Sequence, residues 1–362
     1  MKNNILEIPS MRVVFAGGGT GGHLFPGIAL AQYIKKVSPN SKILFVGTKR
    51  GIETRLVPEN GFDLALVDIT GIKGLSKKKK LMSLIKLPSS IDDSSRILSD
   101  FNADVVIGLG GYASGPLLIS AWLNNYPTFI MEQNSVPGIT NKILGGFVRK
   151  IFTTFKHSHK YFPEDKIVFT GNPVRDSIKK LKTDTSIDKF KDILVFGGSQ
   201  GAQRVNEIII EASKELKEFN IIHQAGKRNI ETVQKSYDEL KIKNVTPIAF
   251  IDDMAQAYKD ADLVICRAGA TSISELQVAA KPSILIPFPK ATDNHQVLNA
   301  KELVKDGAAI MIEEKELTAK LLIDTIRSLN INKLTKMQEN LKRTSISNSE
   351  DVILSEILES LS

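Results

Sequence analysis

A glycine-rich loop followed by a histidine is the first feature of the sequence that could do chemistry. Residues 17–22 read GGGTGG and follow the apolar run 11–16. Glycine allows backbone N–H groups at a helix start to approach phosphate or sugar oxygens, an approach that a Cβ would block. His23 comes next and can point into the crevice at the carboxyl end of a parallel sheet. It could act there as a general base or brace the loop, and spacing alone leaves both roles open.

Three further glycine-rich loops follow, at residues 108–115, 197–202 and 267–272. Ser199, in the second of them, can donate to a phosphate or cap the helix that follows. Glu275 lies one or two turns into the helix after the third, so its carboxylate can reach the hydroxyls of a ribose. The alternative is a first-turn acid that is solvated or favoured by the helix dipole. Four such loops in one chain favour ligand binding over simple tight turns.

The spacing of residues 17–22 also satisfies G-x-G-x-x-G, which is typical of dinucleotide-binding folds. In those folds the second strand usually ends with an acidic residue that binds the ribose hydroxyls. Here that strand ends Val46-Gly47-Thr48 and offers no acid. The sequence therefore favours a different nucleotide ligand over NAD.

Alternating strand and helix patterns surround these loops. Apolar, β-branched runs at 11–16, 42–47, 104–110 and 127–133 are separated by segments long enough for crossover helices. The pattern starts again at 192–198 and continues at 261–269 and 282–288. Such alternation predicts an α/β fold with parallel sheets, and its repetition predicts two similarly built domains.

The length of 362 residues also suits two domains better than one core. A Gly-Asn-Pro break at 171–173 precedes a charged, poorly periodic stretch, so the boundary is expected between 175 and 191. We predict an N-terminal domain at 1–175, a C-terminal domain at 176–340 and a helical tail at 341–362.

Composition restricts the class of protein. The single cysteine, Cys266, excludes intramolecular disulfides and cysteine-based zinc clusters, which fits a reducing compartment. The first ten residues lack the apolar region of a signal peptide, and no apolar stretch approaches the ~18 residues of a membrane span. The net charge of +8 suggests an anionic partner, but no nucleic-acid-binding module is recognisable, so nucleic acid is not expected.

Eight ordered motifs are similar to those of one enzyme family, the MurG family of UDP-N-acetylglucosamine (UDP-GlcNAc) transferases. They are GGGTGGHLFPGIALA, GGYASGP, EQNSVPGITNK, GNPVR, GGSQGAQRVNE, FIDDM, CRAGATSISEL and DNHQVLNA, and the match runs from about Arg12 to Ala300. The resemblance implies a GT-B fold, in which two Rossmann-like domains with parallel sheets face a cleft and the C-terminal domain holds most of the sugar nucleotide. It also implies inverting transfer of N-acetylglucosamine to the 4-hydroxyl of undecaprenyl-diphosphate-MurNAc-pentapeptide, which forms lipid II for peptidoglycan, without a cofactor.

The resemblance also assigns roles to residues of the matched motifs. It implies that His23 is the catalytic base, that Ile251 contacts uracil, and that Gln296 and Asn299 contact the donor sugar. His295 stands where some relatives have a second glutamine, which leaves the hydrogen bonds to that sugar open. The implied UDP-GlcNAc-binding residues are Thr20, Gly21, Gly22, Asn134, Arg175, Ser199, Ile251, Ala270, Thr271, Ser272, Glu275, Gln296 and Asn299.

Metal is not expected in this mechanism. The sequence shows no Asp-x-Asp at a strand end, and Asp252-Asp253 is expected to precede or cap a helix. Arg175, Ser199 and the helix N-termini would then neutralise the charge that grows on the departing diphosphate. The alternatives are a related transferase with another lipid acceptor such as diacylglycerol, a UDP-sugar epimerase, and a non-catalytic scaffold that binds sugar nucleotides.

A lysine-rich segment, residues 72–85, is the predicted membrane-docking surface. Cations next to apolar side chains suit an anionic bilayer surface, while the alternative is a solvated lysine loop before an inward-packed helix. A polyprenyl-linked acceptor favours docking, so we expect a peripheral protein on the cytoplasmic face of the cell's inner membrane. The docking residues are Ile72, Lys73, Leu75, Lys77, Lys78, Lys79, Lys80, Leu81, Leu84 and Ile85.

Overall fold

The computed structural model describes residues 8–49, 51–67, 87–181, 187–198 and 201–361. The chain forms two compact units, one made of the residues up to Arg175 together with Asn348–Ser362, and the other made of Asp176–Ser347. The lysine-rich segment, residues 72–85, and Ser199 lie outside the described residues. In the described part of the chain, no helix has both the length and the apolar character that crossing a membrane requires.

The first unit contains a seven-stranded parallel sheet with strand order β3-β2-β1-β4-β5-β6-β7. Its strands are β1 (Arg12–Gly17), β2 (Lys42–Thr48), β3 (Asp63–Val67), β4 (Val105–Gly110), β5 (Thr128–Glu132), β6 (Lys150–Thr153) and β7 (Ile167–Phe169). Its helices are α1 (Gly21–Val37), α2 (Glu53–Glu59), α3 (Leu87–Phe101), α4 (Ser114–Leu123) and α5 (Ile139–Leu144).

Apolar clusters cover both faces of this sheet, which explains why its central strands are continuously apolar rather than alternating. Val13 and Phe15 of β1 face one cluster, and Val14 and Ala16 face the other; all four are buried. Because β2 and β4 flank β1, the chain order reverses at β1, and the loops that follow β1 and β4 meet at the carboxyl edge of the sheet, where ligands of such folds bind. The predicted glycine loop and His23 lie at this edge.

The second unit repeats the design with a six-stranded parallel sheet in the order β10-β9-β8-β11-β12-β13. Its strands are β8 (Asp192–Phe196), β9 (Asn220–Gln224), β10 (Val245–Ile248), β11 (Leu263–Cys266), β12 (Ser283–Leu285) and β13 (Ala309–Met311). Its helices are α6 (Asp176–Lys179), α7 (Gln203–Ala212), α8 (Ile230–Glu239), α9 (Met254–Asp260), α10 (Ala270–Val278), α11 (His295–Lys305), α12 (Ala319–Ser328) and α13 (Ile331–Thr344). Its switch point lies between β8 and β11, where two more of the glycine loops begin.

The residues of the predicted tail are divided between the two units. Helix α13 and the turn after it belong to the second unit, whereas α14 (Ser349–Leu361) packs on the first. Ile353 and Ile357 of α14 join the core beneath β1, and Oε1 of Glu350 accepts a hydrogen bond from the backbone N–H of Val174 at 3.1 Å. The apolar stripe of α14 is thus buried, so this helix is part of a domain rather than a separate tail.

Candidate active site

The two glycine loops at the switch point of the first sheet lie against each other. A Cβ on Gly111 would lie 3.0 Å from the carbonyl oxygen of Gly18, and a Cβ on Gly110 would lie 3.4 Å from Nε2 of His23. Gly110 has φ of +95°, a backbone conformation that side-chain-bearing residues rarely adopt. The imidazole of His23 therefore rests on the glycine backbone that follows β4, at the edge where a substrate can enter.

The start of α1 fixes the backbone of His23. Thr20 occupies the N-cap position, and its carbonyl oxygen accepts hydrogen bonds from the N–H groups of His23 and Leu24, each at 3.2 Å. His23 is half-buried, whereas Thr20 and Gly22 are exposed. The structure thus brings together Thr20, Gly21, Gly22 and His23, as the sequence predicted for neighbours in one motif.

Glu53 is a site residue that the sequence analysis missed. Its side chain is 1% exposed and lies beneath the first glycine loop. Oε2 accepts a hydrogen bond from the N–H of Gly19 at 2.8 Å, and Oε1 accepts one from the N–H of Thr48 at 2.9 Å. The signal for it in the sequence is an acidic residue shortly after β2. A ribose-binding acid is expected at the end of that strand, whereas Glu53 comes five residues after Thr48, the last residue of β2.

Glu132 organises the loop that contains Asn134. Its Oε1 accepts from the N–H of Asn134 at 2.9 Å, and its Oε2 accepts from Nδ2 of Asn141 at 2.9 Å. Burial raises the pKa of Glu132 to about 7, and the hydrogen bonds that it accepts limit the rise. Asn134 is half-buried at the carboxyl end of β5, next to β4 in the sheet. This strand-end loop therefore has a fixed shape.

Arg175, to which the family resemblance gives a donor-binding role, lies beside the first helix. Its guanidinium carbon is 5.5 Å from the centre of the Phe25 ring, and the side chain is half-buried. Phe25 is one turn beyond Gly21 in α1. This cation–π contact holds the charge of Arg175 near the start of α1.

The glycine loop of the second unit is packed on the end of β9. Gly201 has φ of +73°, and a Cβ there would collide with the carbonyl oxygen of Ala225. The same oxygen accepts a hydrogen bond from Nδ2 of Asn206, in α7, at 3.0 Å. Glycine at 201 therefore permits the close approach of two backbones, and Asn206 pins the neighbouring strand end.

A buried hydrogen-bonded chain extends this arrangement into the core. Nε2 of His223 lies 3.1 Å from Oδ1 of Asn206, and Nδ1 lies 2.8 Å from the hydroxyl of Tyr237. An amide oxygen can only accept, so Nε2 of His223 carries the proton of the ring. Nδ1 accepts a hydrogen bond from the hydroxyl of Tyr237, and the imidazole is neutral. Burial lowers the pKa of His223 to about 4 and keeps this form at neutral pH.

The carboxylate of Glu275 is held rather than solvated. Glu275 is 4% exposed, and its Oε2 accepts a hydrogen bond from the hydroxyl of the buried Tyr258 at 3.2 Å. Tyr258 belongs to α9, which starts just after Ile251 and is capped by Asp253, whose Oδ1 accepts from the N–H of Gln256 at 2.9 Å. The predicted helix-capping role of this acidic pair is confirmed for Asp253. Ile251 itself is half-buried.

The start of α10 carries the predicted Ala270, Thr271 and Ser272. Gly269 is the N-cap residue of α10, its backbone is extended, and it has no side chain that could cap the helix. Ala270 is buried, whereas Thr271 and Ser272 are half-buried on the first turn. The positive end of the helix dipole at this turn suits the negative charge of a phosphate group.

The predicted donor-sugar residues lie on α11. Oε1 of Gln296 accepts a hydrogen bond from the N–H of Phe288 at 2.9 Å, which uses one end of the amide to hold the loop after β12. Nδ1 of His295 lies 2.7 Å from the carbonyl oxygen of Thr292. Asn299 is fully buried, and its Nδ2 donates to the carbonyl oxygen of Ala268 at 3.4 Å. Asn299 therefore braces the loop before α10.

Arg267 is a second residue that the sequence analysis did not single out. Its Nη1 donates to the carbonyl oxygens of Ile286 and Pro287, each at 3.2 Å, and its guanidinium pairs with Glu314. It thereby ties the loop after β11 to the loop after β12. Within the described ranges, no group of three or more His, Cys, Asp or Glu residues could hold a metal ion.

Comparison with known proteins identifies relatives over nearly the whole chain. The models of the glycosyltransferase family 28 N-terminal and C-terminal domains match residues 13–153 and 192–355. The chain is 48% identical over 325 residues to the UDP-N-acetylglucosamine--N-acetylmuramyl-(pentapeptide) pyrophosphoryl-undecaprenol N-acetylglucosamine transferase of Myxococcus xanthus, covering 88% of this chain and 84% of that one. It is 41% identical to the transferase of the same name from Acetivibrio thermocellus, covering 95% and 96%.

Solved structures agree with these sequence matches. The crystal structure of Acinetobacter baumannii MurG superposes with a TM-score of 0.78 and 31% identity, over 97% of this chain and all of that one. A UDP-GlcNAc 2-epimerase from Neisseria meningitidis superposes with a TM-score of 0.65 over 97% of this chain, at 16% identity. At that identity the second likeness concerns the fold alone.

Proposed function

The chain belongs to glycosyltransferase family 28, and on that premise we propose that it performs the reaction in its relatives' names. It transfers N-acetylglucosamine from UDP-GlcNAc to N-acetylmuramyl-(pentapeptide) pyrophosphoryl-undecaprenol. The observation that carries this conclusion is the 41–48% identity to these transferases over most of the chain. The two sheets support it, because each has glycine loops at its switch point.

In this proposal the second unit holds the donor. The ribose hydroxyls bind the carboxylate of Glu275, the uracil lies against the segment at Ile251, and the diphosphate lies at the first turn of α10 with Thr271 and Ser272. Ser199 adds a hydroxyl donor near the phosphates, and Gln296 and Asn299 contact the sugar. Neutral donors and a helix dipole favour a leaving group whose negative charge grows during transfer.

The proposed chemical step is a single inverting displacement. The acceptor hydroxyl oxygen forms a bond with the anomeric carbon while the bond from that carbon to the diphosphate oxygen breaks. The electron pair of the broken bond leaves with UDP. The hydroxyl proton passes to the imidazole of His23, which rests on Gly110 at the edge of the first sheet. Thr20, Gly21, Gly22 and Asn134 line the site of transfer next to His23.

A transfer assay tests this function. We expect the purified chain to move radiolabelled N-acetylglucosamine from UDP-GlcNAc to a short-chain analogue of the lipid acceptor, and to do so in EDTA. Loss of activity in EDTA that returns with a divalent ion would contradict the metal-free step. Transfer to diacylglycerol instead, or epimerisation of UDP-GlcNAc without transfer, would replace the proposed reaction with another.

We further propose that the first unit docks on the inner face of the cell membrane. An apolar patch of the described surface supports this proposal in addition to the lysine-rich segment. Its members are between 44% and 61% exposed, and the rings of Trp122 and Phe147 are 5.0 Å apart. Apolar side chains of this size suit insertion between lipid head groups. The apolar patch consists of Trp122, Leu123, Ile139, Ile143 and Phe147.

A further inference from the structure

We propose that Glu53 is a positioning residue for the transfer reaction. In this proposal its buried carboxylate fixes the first glycine loop, residues 17–20, and through Thr20 it fixes the start of α1 that carries His23. The inference rests on the proposed function, because it assigns to Glu53 an effect on that reaction. Glu53 does not contact substrate in this proposal, because its side chain is covered by the loop that it holds.

The contacts of Glu53 show how the loop is held. Oε2 accepts the N–H of Gly19, while Oε1 accepts both the N–H and the hydroxyl of Thr48, the latter at 3.1 Å. One carboxylate thus joins the loop after β1 to the end of β2. Loss of an acceptor at either oxygen would leave one of these backbone donors unsatisfied, so the link constrains both segments.

The glycines around Glu53 show that the space is shaped for its side chain. A Cβ on Gly18 would lie 2.5 Å from Oε2, and a Cβ on Gly47 or on Gly51 would collide with the side chain. Three glycines from three different segments therefore enclose one carboxylate. A residue that only filled space in the core would not require a polar group with two occupied oxygens at this place.

The link from Glu53 to His23 is short. Gly19, which donates to Glu53, precedes Thr20, whose carbonyl oxygen accepts the N–H groups of His23 and Leu24. Residues 17–19 are all glycines, which lack the side chain that restricts the backbone of other residues, so the loop itself gives little stiffness. The carboxylate supplies that stiffness and sets the register in which the imidazole meets Gly110.

Glu53→Gln is the test variant, and Glu59→Gln is the matched control. Glutamine has the same shape, but its amide nitrogen must face the N–H of either Gly19 or Thr48. That N–H then loses its acceptor and meets another donor instead. Glu59 lies in the same helix, where its carboxylate pairs with Arg55 at the surface. We expect Glu53→Gln to lower kcat roughly 10- to 100-fold, as a displacement of about 1 Å at a reacting group does. The affinity of Glu53→Gln for UDP alone, whose proposed contacts are Ile251, Glu275 and the first turn of α10, should stay within about twofold of wild type. The turnover of Glu59→Gln should also stay within about twofold of wild type.

A double-mutant cycle with His23→Ala separates positioning from general stability. In the His23→Ala background, Glu53→Gln should cost less than about twofold in kcat, because the group that it positions is absent. An equal loss in both backgrounds would overturn the link to His23. A kcat of Glu53→Gln within twofold of wild type, measured below its melting temperature, would overturn the proposal as a whole.

Two further results keep the inference distinct from the proposed function. If His23→Ala alone retains nearly full turnover, the proposed base is wrong. The kcat loss of Glu53→Gln then decides whether Glu53 positions another part of the site. If Glu53→Gln does not fold, Thr48→Val removes only the hydroxyl donor to Oε1 and is expected to lower kcat a few-fold. Unchanged kcat in that folded variant would count against a positioning role.

Discussion

The hydroxyl of Tyr258 donates a hydrogen bond to Oε2 of Glu275 at 3.2 Å, and both side chains are buried. Tyr258 lies in the helix that follows the predicted uracil segment, and Glu275 is the predicted ribose ligand. The contact therefore ties the two proposed nucleoside-binding elements together. It also excludes the alternative of a solvated first-turn acid, since a side chain that is 4% exposed is not solvated.

We expect Tyr258→Phe to weaken UDP binding about fivefold, because the lost intramolecular hydrogen bond contributes about 1 kcal/mol to holding the Glu275 side chain in place. Glu275→Ala should weaken it further. Isothermal titration with UDP and with its 2′-deoxy analogue provides the check, since both variants should discriminate less between the two ligands than wild type does. Unchanged affinity of Glu275→Ala for UDP would assign Glu275 a purely structural role.

We expect His23→Ala to lower kcat by about 10²- to 10⁴-fold, the usual effect of losing a general base. UDP affinity should be nearly unchanged, because His23 is the proposed base and is not among the proposed contacts of UDP. Steady-state kinetics with the soluble acceptor, together with UDP titrations, measures both quantities. A decrease of only a few-fold would favour the bracing role that the sequence leaves open.

The sequence predicts the fold well because its signals are local. An apolar strand, a glycine loop and a helical pattern recur in both halves, and each marks a switch point of a parallel sheet. The sequence cannot reveal Glu53 or Tyr258 in the same way. Their roles arise from contacts with residues in other segments, Gly19 and Glu275, that only the folded chain brings near.

The tail shows the same limit. Helix α14 has a periodic pattern that identifies a helix, but the pattern does not say which core receives its apolar stripe. In the structure, Ile353 and Ile357 pack on the first unit after the chain has completed the second. Local periodicity thus predicts the element, and tertiary packing decides its domain.

The neutral His223 predicts a loss of stability in acid. Its folded pKa, about 4, lies below the value of about 6.5 in an unfolded chain, so the unfolded chain binds a proton first as the pH falls. The stabilisation is complete above pH 6.5 and is lost progressively between 6.5 and 4. Between pH 7.5 and 5 we expect a loss of roughly 2 kcal/mol in the free energy of unfolding of the second unit.

Urea titrations followed by circular dichroism at both pH values measure this loss. His223→Gln removes the titrating ring, so its free energy of unfolding should depend less on pH than that of wild type by about the same 2 kcal/mol. Identical pH dependence of the two proteins would mean that His223 does not control the acid sensitivity.

The membrane proposal predicts separable electrostatic and apolar contributions to vesicle binding. Replacing Lys77, Lys78, Lys79 and Lys80 with Gln should weaken binding to anionic vesicles by about 1 kcal/mol for each lysine near the surface, and this contribution should shrink as salt screens the charge. Replacing Ile139 and Ile143 with Ser should weaken binding roughly tenfold at low and high salt alike, since burial of apolar area is not screened.

The control for the apolar patch is Leu240→Ser, which removes a side chain of 41% exposure from the second unit. It should leave vesicle binding unchanged. UDP affinity should be the same in all the variants, because none of the substituted residues is a proposed contact of UDP-GlcNAc. Co-sedimentation with vesicles of anionic and of neutral lipid is the measurement. Equal, salt-insensitive binding of wild type and both sets of variants would remove these two surfaces as docking sites, whereas loss with the lysine variants alone would restrict docking to the lysine-rich segment.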